Sequence, residues 1–185
     1  QMKLRLGPFR GISVTDVRID GASAAGIYVG GSSGFLISDV RVSDTRADGV
    51  HITEGAHSGR VSGLSALRTG DDGLAVVSYL THPVCHDIMA SNVRVADQRW
   101  GRGVSVVGGR NIVYRRLRIH RSAAAAVYVA AEAEYGTHGV HGVVVRNARI
   151  TGSNTSKVVH GAVVVYNSMS ASSSRPQSIR SEEHT

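Results

Sequence analysis

Short runs of alternating apolar and polar residues recur along this chain at a nearly constant interval. Successive intervals of 23 and 24 residues separate equivalent runs that begin at Ile27, Val50 and Leu74. Alternation with a period of two predicts β-strands with one buried face, and Val and Ile dominate the positions that would point inward. A fixed interval of this length indicates stacked repeats. The six runs are Ile27-Tyr-Val29, Val50-His-Ile52, Leu74-Ala-Val76, Val104-Ser-Val106, Val127-Tyr-Val129 and one from Ala162 onward.

Each repeat also contains two earlier short apolar runs, separated by a single corner residue. Asp and Asn are frequent at this corner because they tolerate left-handed backbone and hydrogen-bond locally. The corner positions are Asp16, Asp39, Gly63, Asn92, Arg116 and Asn147. A small residue precedes the third run of each repeat: Gly26, Gly49, Gly73, Gly103, Ala126 and Gly161. Three short strands per repeat predict an all-β fold, a right-handed parallel β-helix of about six coils, stacked roughly 4.8 Å apart.

Two other architectures fit the pattern less well. A leucine-rich or other α/β solenoid needs helices between its strands, and no stretch of this chain has a helical period. A β-sandwich would not repeat Gly and Asn or Asp column by column. We therefore expect one β-helix domain over residues 1–168, with insertions at 78–87 and 130–142, followed by a disordered Ser-rich tail over 169–185.

Both ends of the chain lead us to expect a fragment. It begins inside a repeat, so we expect an N-terminal cap and a signal region, and later coils as well, to be missing. Residues 180–185 match the translation of a common sequencing-library adapter, and we interpret them as an artefact.

Composition narrows the class of partner. The chain has 21 Lys and Arg against 14 Asp and Glu, which gives a formal charge of +7 and favours an acidic partner. No apolar run is long enough to cross a membrane, so we expect no membrane partner. The sequence leaves the oligomeric state open.

Three carboxylates are predicted to meet in the turns before the third strands. Asp72 follows Asp48 by one repeat of 24 residues, and Asp71 precedes Asp72 directly. If each repeat is one coil, Asp72 lies above Asp48. Clustered carboxylates repel one another, so their concentration suggests a site. The alternative is that Asp48 and Asp72 only accept hydrogen bonds from backbone amides of a turn.

Two outward-facing columns could bind ligands. The third-strand column contains Tyr28, His51, Ala75, Ser105 and Tyr128, and its aromatic and imidazole faces suit the floor of a sugar-binding groove. The second-strand column is arginine in five of six repeats: Arg18, Arg41, Ser65, Arg94, Arg118 and Arg149. It is interpreted either as a solvated face or as a polyanion track. We do not expect nucleic acid to bind there because the aromatic residues lie in the other column.

These motifs resemble the pectin lyase-like superfamily of right-handed β-helices, in which an Asn ladder occupies a corner. Asp48-Gly49 and Gly70-Asp71-Asp72-Gly73 resemble two successive motifs of polygalacturonase-type glycoside hydrolases of family 28, Asn-Thr-Asp-Gly and Gly/Gln-Asp-Asp-Cys. Trp100-Gly101-Arg102-Gly103 falls where that family has Gly-His-Gly. The chain is also similar to bacterial β-helix-repeat proteins that carry Asp-Asp-Gly and Trp-Gly-Arg-Gly.

The resemblance implies roles for individual residues. Asp72 takes the general-acid position, and Asp48 and Asp71 take the water-activating side. Arg102 replaces the family's histidine, and Tyr128-Val129-Ala130 stands where the family has its carboxylate-binding Arg-Ile-Lys. We expect Arg102, His51, Tyr28 and Tyr128 to contact substrate.

Three classes of function remain open at this point. The first is a secreted or cell-surface glycoside hydrolase that acts on a polysaccharide, which could contain uronic acids, and needs no cofactor. The second is a polysaccharide lyase or uronan epimerase, in which the three aspartates would hold Ca²⁺. The third is a structural or sugar-binding solenoid without activity. No zinc site is expected, because His138 and His141 lack partners at metal spacing.

Overall fold

The computed structural model describes Leu4–Leu6, residues 9–168 and Gln177–Glu182, with side chains described over 9–168. One short 3-10 helix, Ala133–Tyr135, lies in the second insertion. The strands are β1 (Leu4–Leu6), β2 (Ser13–Thr15), β3 (Arg18–Asp20), β4 (Ile27–Gly30), β5 (Leu36–Ser38), β6 (Arg41–Ser43), β7 (Val50–Thr53), β8 (His57–Ser62), β9 (Ser65–Leu67), β10 (Leu74–Val77), β11 (His86–Ala96), β12 (Val104–Val107), β13 (Gly109–His120), β14 (Val127–Ala131), β15 (Val140–Thr151), β16 (Val163–Asn167) and β17 (Gln177–Glu182).

The strands form two long parallel sheets. The third strands of successive coils build a seven-stranded sheet in the order β1-β4-β7-β10-β12-β14-β16. The first and second strands build a ten-stranded sheet, where β17-β15-β13-β11-β8-β5-β2 are neighbours and β3, β6 and β9 pair in series onto β11. Each strand therefore pairs with its equivalents one coil below and one coil above, which is the arrangement of a parallel β-helix.

The register confirms the predicted columns. Ile27 pairs with Val50, Val50 with Leu74, and Leu74 with Val104. The second-strand arginines are also in register, from Arg18 paired with Arg41 up to Arg118 paired with Arg149. The sixth coil differs by one residue, since Val163 pairs with Val127, so Ala162 rather than Gly161 precedes the third strand.

Left-handed backbone occupies the predicted corner in every coil. The six corner residues have φ between 53° and 69°, which is the region that Gly, Asn and Asp tolerate best. In the first three coils this corner separates two short strands. In later coils the strands run continuously through it as β11, β13 and β15.

The interior is a column of stacked aliphatic side chains. The residues predicted to point inward are at most 3% exposed: Val50, Ile52, Leu74, Val76, Val104, Val106, Val127 and Val129. Burial of these side chains on every coil supplies the main stabilisation of the fold.

The two insertions pair with each other. Tyr79 and Thr137 form an antiparallel bridge, and the backbone N–H of Leu80 donates to the carbonyl of Gly136 at 2.8 Å. The insertions therefore cover one end of the groove over the third strands.

The segment predicted to be a disordered tail contains a strand at Gln177–Glu182, parallel to Val140–Thr151. The other residues of 169–185 lie outside the described part of the chain. Across the described ranges, the structure holds no helix of the length and apolarity needed to cross a membrane.

Close stacking at the small-residue column predicts a stability effect. A Cβ added at Gly49 would lie 2.5 Å from the carbonyl oxygen of Gly73 one coil above. Overpacking of this kind costs about 1–3 kcal/mol, so Gly49→Ala should lower the free energy of unfolding by that amount in urea titrations. Gly161→Ala is the control because its Cβ would lie 3.3 Å from the nearest atom. Its effect should stay within about 0.5 kcal/mol. Equal stability of the two variants would contradict close stacking at Gly49.

Candidate active site

The turns that lead into β7 and β10 have the same local structure. The Thr45 hydroxyl donates to the carbonyl of Ala47 at 2.6 Å, and the Thr69 hydroxyl donates to the carbonyl of Asp71 at 2.7 Å. Backbone bonds then join the two turns, since the N–H of Gly49 donates to the carbonyl of Asp72 at 2.8 Å. Identical turns stacked in this way place Asp72 above Asp48.

The structure brings the three predicted carboxylates together. One carboxylate oxygen from each of Asp48, Asp71 and Asp72 lies within 4.8 Å of the other two. Asp48 and Asp72 are buried, whereas Asp71 is half-buried. Like charges at this distance raise the pKa of at least one member of the group.

Asp48 and Asp72 each accept a backbone hydrogen bond from the coil above. Asp48 Oδ1 accepts from the N–H of Asp72 at 2.9 Å, and Asp72 Oδ1 accepts from the N–H of Arg102 at 2.7 Å. The turn role considered from the sequence is therefore real for one oxygen of each carboxylate. The second oxygens have side-chain partners, which a turn does not require.

These side-chain partners differ between the two carboxylates. His51 Nδ1 lies 2.5 Å from Asp48 Oδ2, so the imidazole is placed to hold Asp48 as an anion. The Ser105 hydroxyl donates to Asp72 Oδ2 at 2.5 Å from a fully buried position. Ser105 lies in the predicted third-strand column and holds the Asp72 side chain in place.

Asp71 has a different environment from its neighbours. Its Oδ1 is buried, and no described residue donates a hydrogen bond to that oxygen. Gly101 packs directly against it, and a Cβ at this position would overlap both Asp71 Oδ1 and the adjacent backbone. This contact explains why glycine stands between Trp100 and Arg102.

Arg102 links the cluster to a fourth carboxylate. One guanidinium nitrogen lies 3.8 Å from Asp72 Oδ1 and the other lies 3.7 Å from Glu132 Oε1. The guanidinium carbon also lies 4.4 Å from the centre of the Tyr128 ring. Burial disfavours the charged guanidinium, but the surrounding carboxylates outweigh it and raise the Arg102 pKa.

Burial and mutual repulsion raise two of the aspartate pKa values. Burial raises the pKa of Asp71 to about 6, and the Asp48 charge adds to the rise. Burial also raises the Asp72 pKa well above its usual range, with further contributions from Asp48 and Asp71. Arg102 opposes both shifts. The cluster can therefore hold a proton near neutral pH.

The predicted ligand-binding residues divide into two groups. His51 and Arg102 line the cavity beside the carboxylates. Tyr28 stacks on His51 one coil lower, with ring centres 5.4 Å apart, and bonds to Glu54. Tyr128 is only 4% exposed, because Arg102 covers its ring and its hydroxyl donates to Glu132 at 2.7 Å. The expectation that Tyr128 contacts substrate is therefore wrong for this arrangement, in which the side chain supports Arg102.

The cavity also has a rim that the sequence did not predict. It measures about 230 Å³ and is lined by the three aspartates together with Trp100, Tyr79, Tyr135 and Glu132. Trp100 is 60% exposed and Tyr135 is 66% exposed, in a chain with only 5% aromatic residues. Tyr79, Tyr135 and Glu132 come from the insertions, where no repeat identifies equivalent positions. Trp100 could have been selected as the only tryptophan beside a cluster motif.

The carboxylate spacing was tested for a cation. Calcium binds oxygen at about 2.3–2.6 Å, so two ligands of one ion lie at most about 5.2 Å apart, and the 4.8 Å limit fits. The unpartnered Asp71 Oδ1 also fits this role. Arg102 does not fit as well, since its positive charge lies beside Asp72.

Stacked coils and a carboxylate cluster in their turns define a parallel β-helix with a candidate active site on its third-strand side. The chain belongs to the right-handed β-helix family, because the model of the right handed beta helix region matches residues 5–175. This match confirms the predicted fold and its hand. A comparison with curated proteins finds no significant match.

Several solved structures share this fold. The catalytic domain of a GH87 α-1,3-glucanase variant in complex with tetrasaccharides has a TM-score of 0.62 at 13% identity, covering 85% of this chain. The same type of domain in complex with nigerose gives 0.57 at 15% identity, again over 85% of this chain. The Agl-KA catalytic domain gives 0.56 at 16% identity, over 85% of this chain and 36% of its own length. The chain spans 38% of each of the first two domains.

The Asp71 pKa predicts how stability depends on pH. Between the usual aspartate value of 3.8 and about 6, the folded chain binds this proton more tightly than the unfolded chain does. The free energy of unfolding therefore falls as pH rises through this window. Asp71→Asn removes this loss, so the variant should exceed the wild type in stability at about pH 7 in urea titrations.

Asp44→Asn is the matched control for this prediction. A hydrogen bond from Arg68 lowers the pKa of exposed Asp44, so its substitution should not stabilise the protein at neutral pH. If Asp71→Asn were no more stable than the wild type at neutral pH, the raised pKa would be contradicted.

Proposed function

We propose that this chain forms part of a glycoside hydrolase that cleaves a polysaccharide at the Asp48, Asp71 and Asp72 cluster. The observation that carries the proposal is the group of three carboxylates within 4.8 Å beside a cavity. Hydrolysis of a glycosidic bond uses one protonated and one ionised carboxyl group, and this cluster provides environments for both.

The roles follow from the different partners of each carboxylate. Asp72, whose pKa is raised furthest above the usual range, donates its proton to the leaving oxygen as the glycosidic C–O bond breaks. Water adds to the anomeric carbon and gives its proton to the ionised side of the cluster. His51 supports Asp48 as the anion on that side, and Asp71 faces the same space. Arg102 stabilises the negative charge on Asp72 after it has lost its proton.

The rim of the cavity supports a sugar substrate. Trp100 and Tyr135 expose flat apolar faces, with polar edges, next to the carboxylates. Sugar rings combine an apolar face with polar edges, so rings of this kind can pack on these side chains. The similar GH87 domains bind nigerose and tetrasaccharides, which favours the same class of ligand for this fold.

A second candidate is a calcium-dependent polysaccharide lyase. The oxygen spacing of the aspartates favours it, whereas Arg102 beside Asp72 opposes it. The three aspartates would hold the ion, which would neutralise a uronate carboxylate. A lyase forms an unsaturated product that absorbs in the ultraviolet and loses activity with a chelator. The proposed hydrolase releases reducing ends without that absorbance and is unaffected by chelator.

Asp72→Asn tests the hydrolase directly. Loss of the general acid should slow release of reducing ends from polygalacturonate or α-1,3-glucan by about 10²–10⁴-fold. Asp44→Asn, an identical change at an exposed aspartate outside the cavity, should leave the rate unchanged. Thermal unfolding of both variants checks that they fold. Unchanged turnover in folded Asp72→Asn would exclude the catalytic role of the cluster, and absence of any product from the wild type would exclude the hydrolase.

A further inference from the structure

The second-strand column of arginines forms a charged surface that the cluster chemistry does not use. Arg94 pairs in register with Arg118, and Arg118 pairs with Arg149. All three side chains are exposed. Neighbouring strands in a sheet lie about 4.8 Å apart, so the three charges are stacked at that interval along the helix axis. Like charges at this interval are unfavourable without a partner.

These arginines lie along a groove of about 870 Å³ on the ten-stranded sheet. Arg116, at the left-handed corner, adds a fourth guanidinium, and Asn92 and Asn147 add amides above and below it. The lining contains no Asp or Glu. None of its residues lines the cavity beside the aspartates. The groove is therefore a separate surface, rich in hydrogen-bond donors.

The positive charge of this groove is not neutralised within the described part of the chain. No ion pair found there involves Arg94, Arg116, Arg118 or Arg149, although other arginines pair with aspartates, as Arg121 does with Asp97. The lower half of the same column differs. There, Asp16 and Asp39 line the surface beside Arg18 and Arg41. Uncompensated charge is thus confined to the upper coils.

The groove favours one class of anionic polymer. Guanidinium groups bind carboxylates through paired hydrogen bonds, and a spacing of about 4.8 Å is close to the length of one sugar unit in an extended glycan. Single-stranded nucleic acid needs aromatic side chains on which bases stack. No Phe, Tyr or Trp lines this groove. These features match a chain of uronic acids better than a nucleic acid.

We infer that the groove formed by Arg94, Arg116, Arg118 and Arg149 binds an acidic polysaccharide through its uronate carboxylates. The polymer lies along the helix axis, with successive carboxylates facing successive coils. This binding site is independent of the aspartate cluster and holds an acidic glycan whether or not the cluster cleaves it.

The test is binding of polygalacturonate to the whole chain, measured by calorimetry at fixed salt. Replacing Arg94, Arg118 and Arg149 together by Gln should weaken the affinity by about tenfold or more, because three charge-assisted contacts are lost. The matched control replaces Arg18, Arg41 and Arg60 by Gln, which removes the same charge from exposed positions outside the groove. This control should change the affinity by less than about threefold, since distant exposed charges are screened.

Two further arms make the result specific. Replacing the three groove arginines by Lys keeps the charge and removes the paired hydrogen bonds, so binding should weaken relative to wild type. Asp72→Asn should leave binding unchanged, which separates this site from the proposed catalysis. Equal loss in the Gln triple variant and its control would overturn the inference, because it would indicate non-specific attraction. Tighter binding of poly(dT) than of polygalacturonate, or no loss in the folded Gln triple variant, would also overturn it.

Discussion

Stacking of each coil on the next at the spacing of one β-strand is the constraint on which the structure depends. Backbone hydrogen bonds fix that spacing at about 4.8 Å, so a residue type repeated at one position becomes a continuous ladder. Aliphatic ladders close the interior, as in the Val50, Leu74 and Val104 column. Gly49 and Gly73 are small because the next coil's backbone lies directly against them. Function must be built within this ladder.

The carboxylate cluster is a ladder that works against stability. Placing Asp72 above Asp48, with Asp71 beside it, opposes like charges in a partly buried site. The structure limits that repulsion with the backbone amides of Asp72 and Arg102, the imidazole of His51 and the hydroxyl of Ser105. The remaining strain appears as raised pKa values rather than as separation of the side chains. Sites that perform acid and base chemistry commonly show this property.

Repetition determines how much of this could be predicted from the sequence. The strand columns, the left-handed corner and the meeting of Asp48 with Asp72 follow from an interval of 23 or 24 residues. Features outside the repeat did not follow. Glu132, Tyr79 and Tyr135 belong to insertions whose mutual pairing has no periodic signal. Tyr128 has the right column but lies beneath Arg102, a contact that depends on the conformation of one long side chain. The single-residue shift in the sixth coil follows an irregular connection at 152–162.

The most direct test of the account is the titration of the aspartate carboxyl carbons by ¹³C NMR, with the Asp48, Asp71 and Asp72 signals assigned from their Asn variants. The account predicts that Asp71 titrates with a pKa of about 6 and that Asp72 remains protonated to a higher pH than an ordinary aspartate. If all three carboxyls titrated near the usual value of 3.8, the cluster would hold no proton at neutral pH. The proposed acid and base roles would then be contradicted.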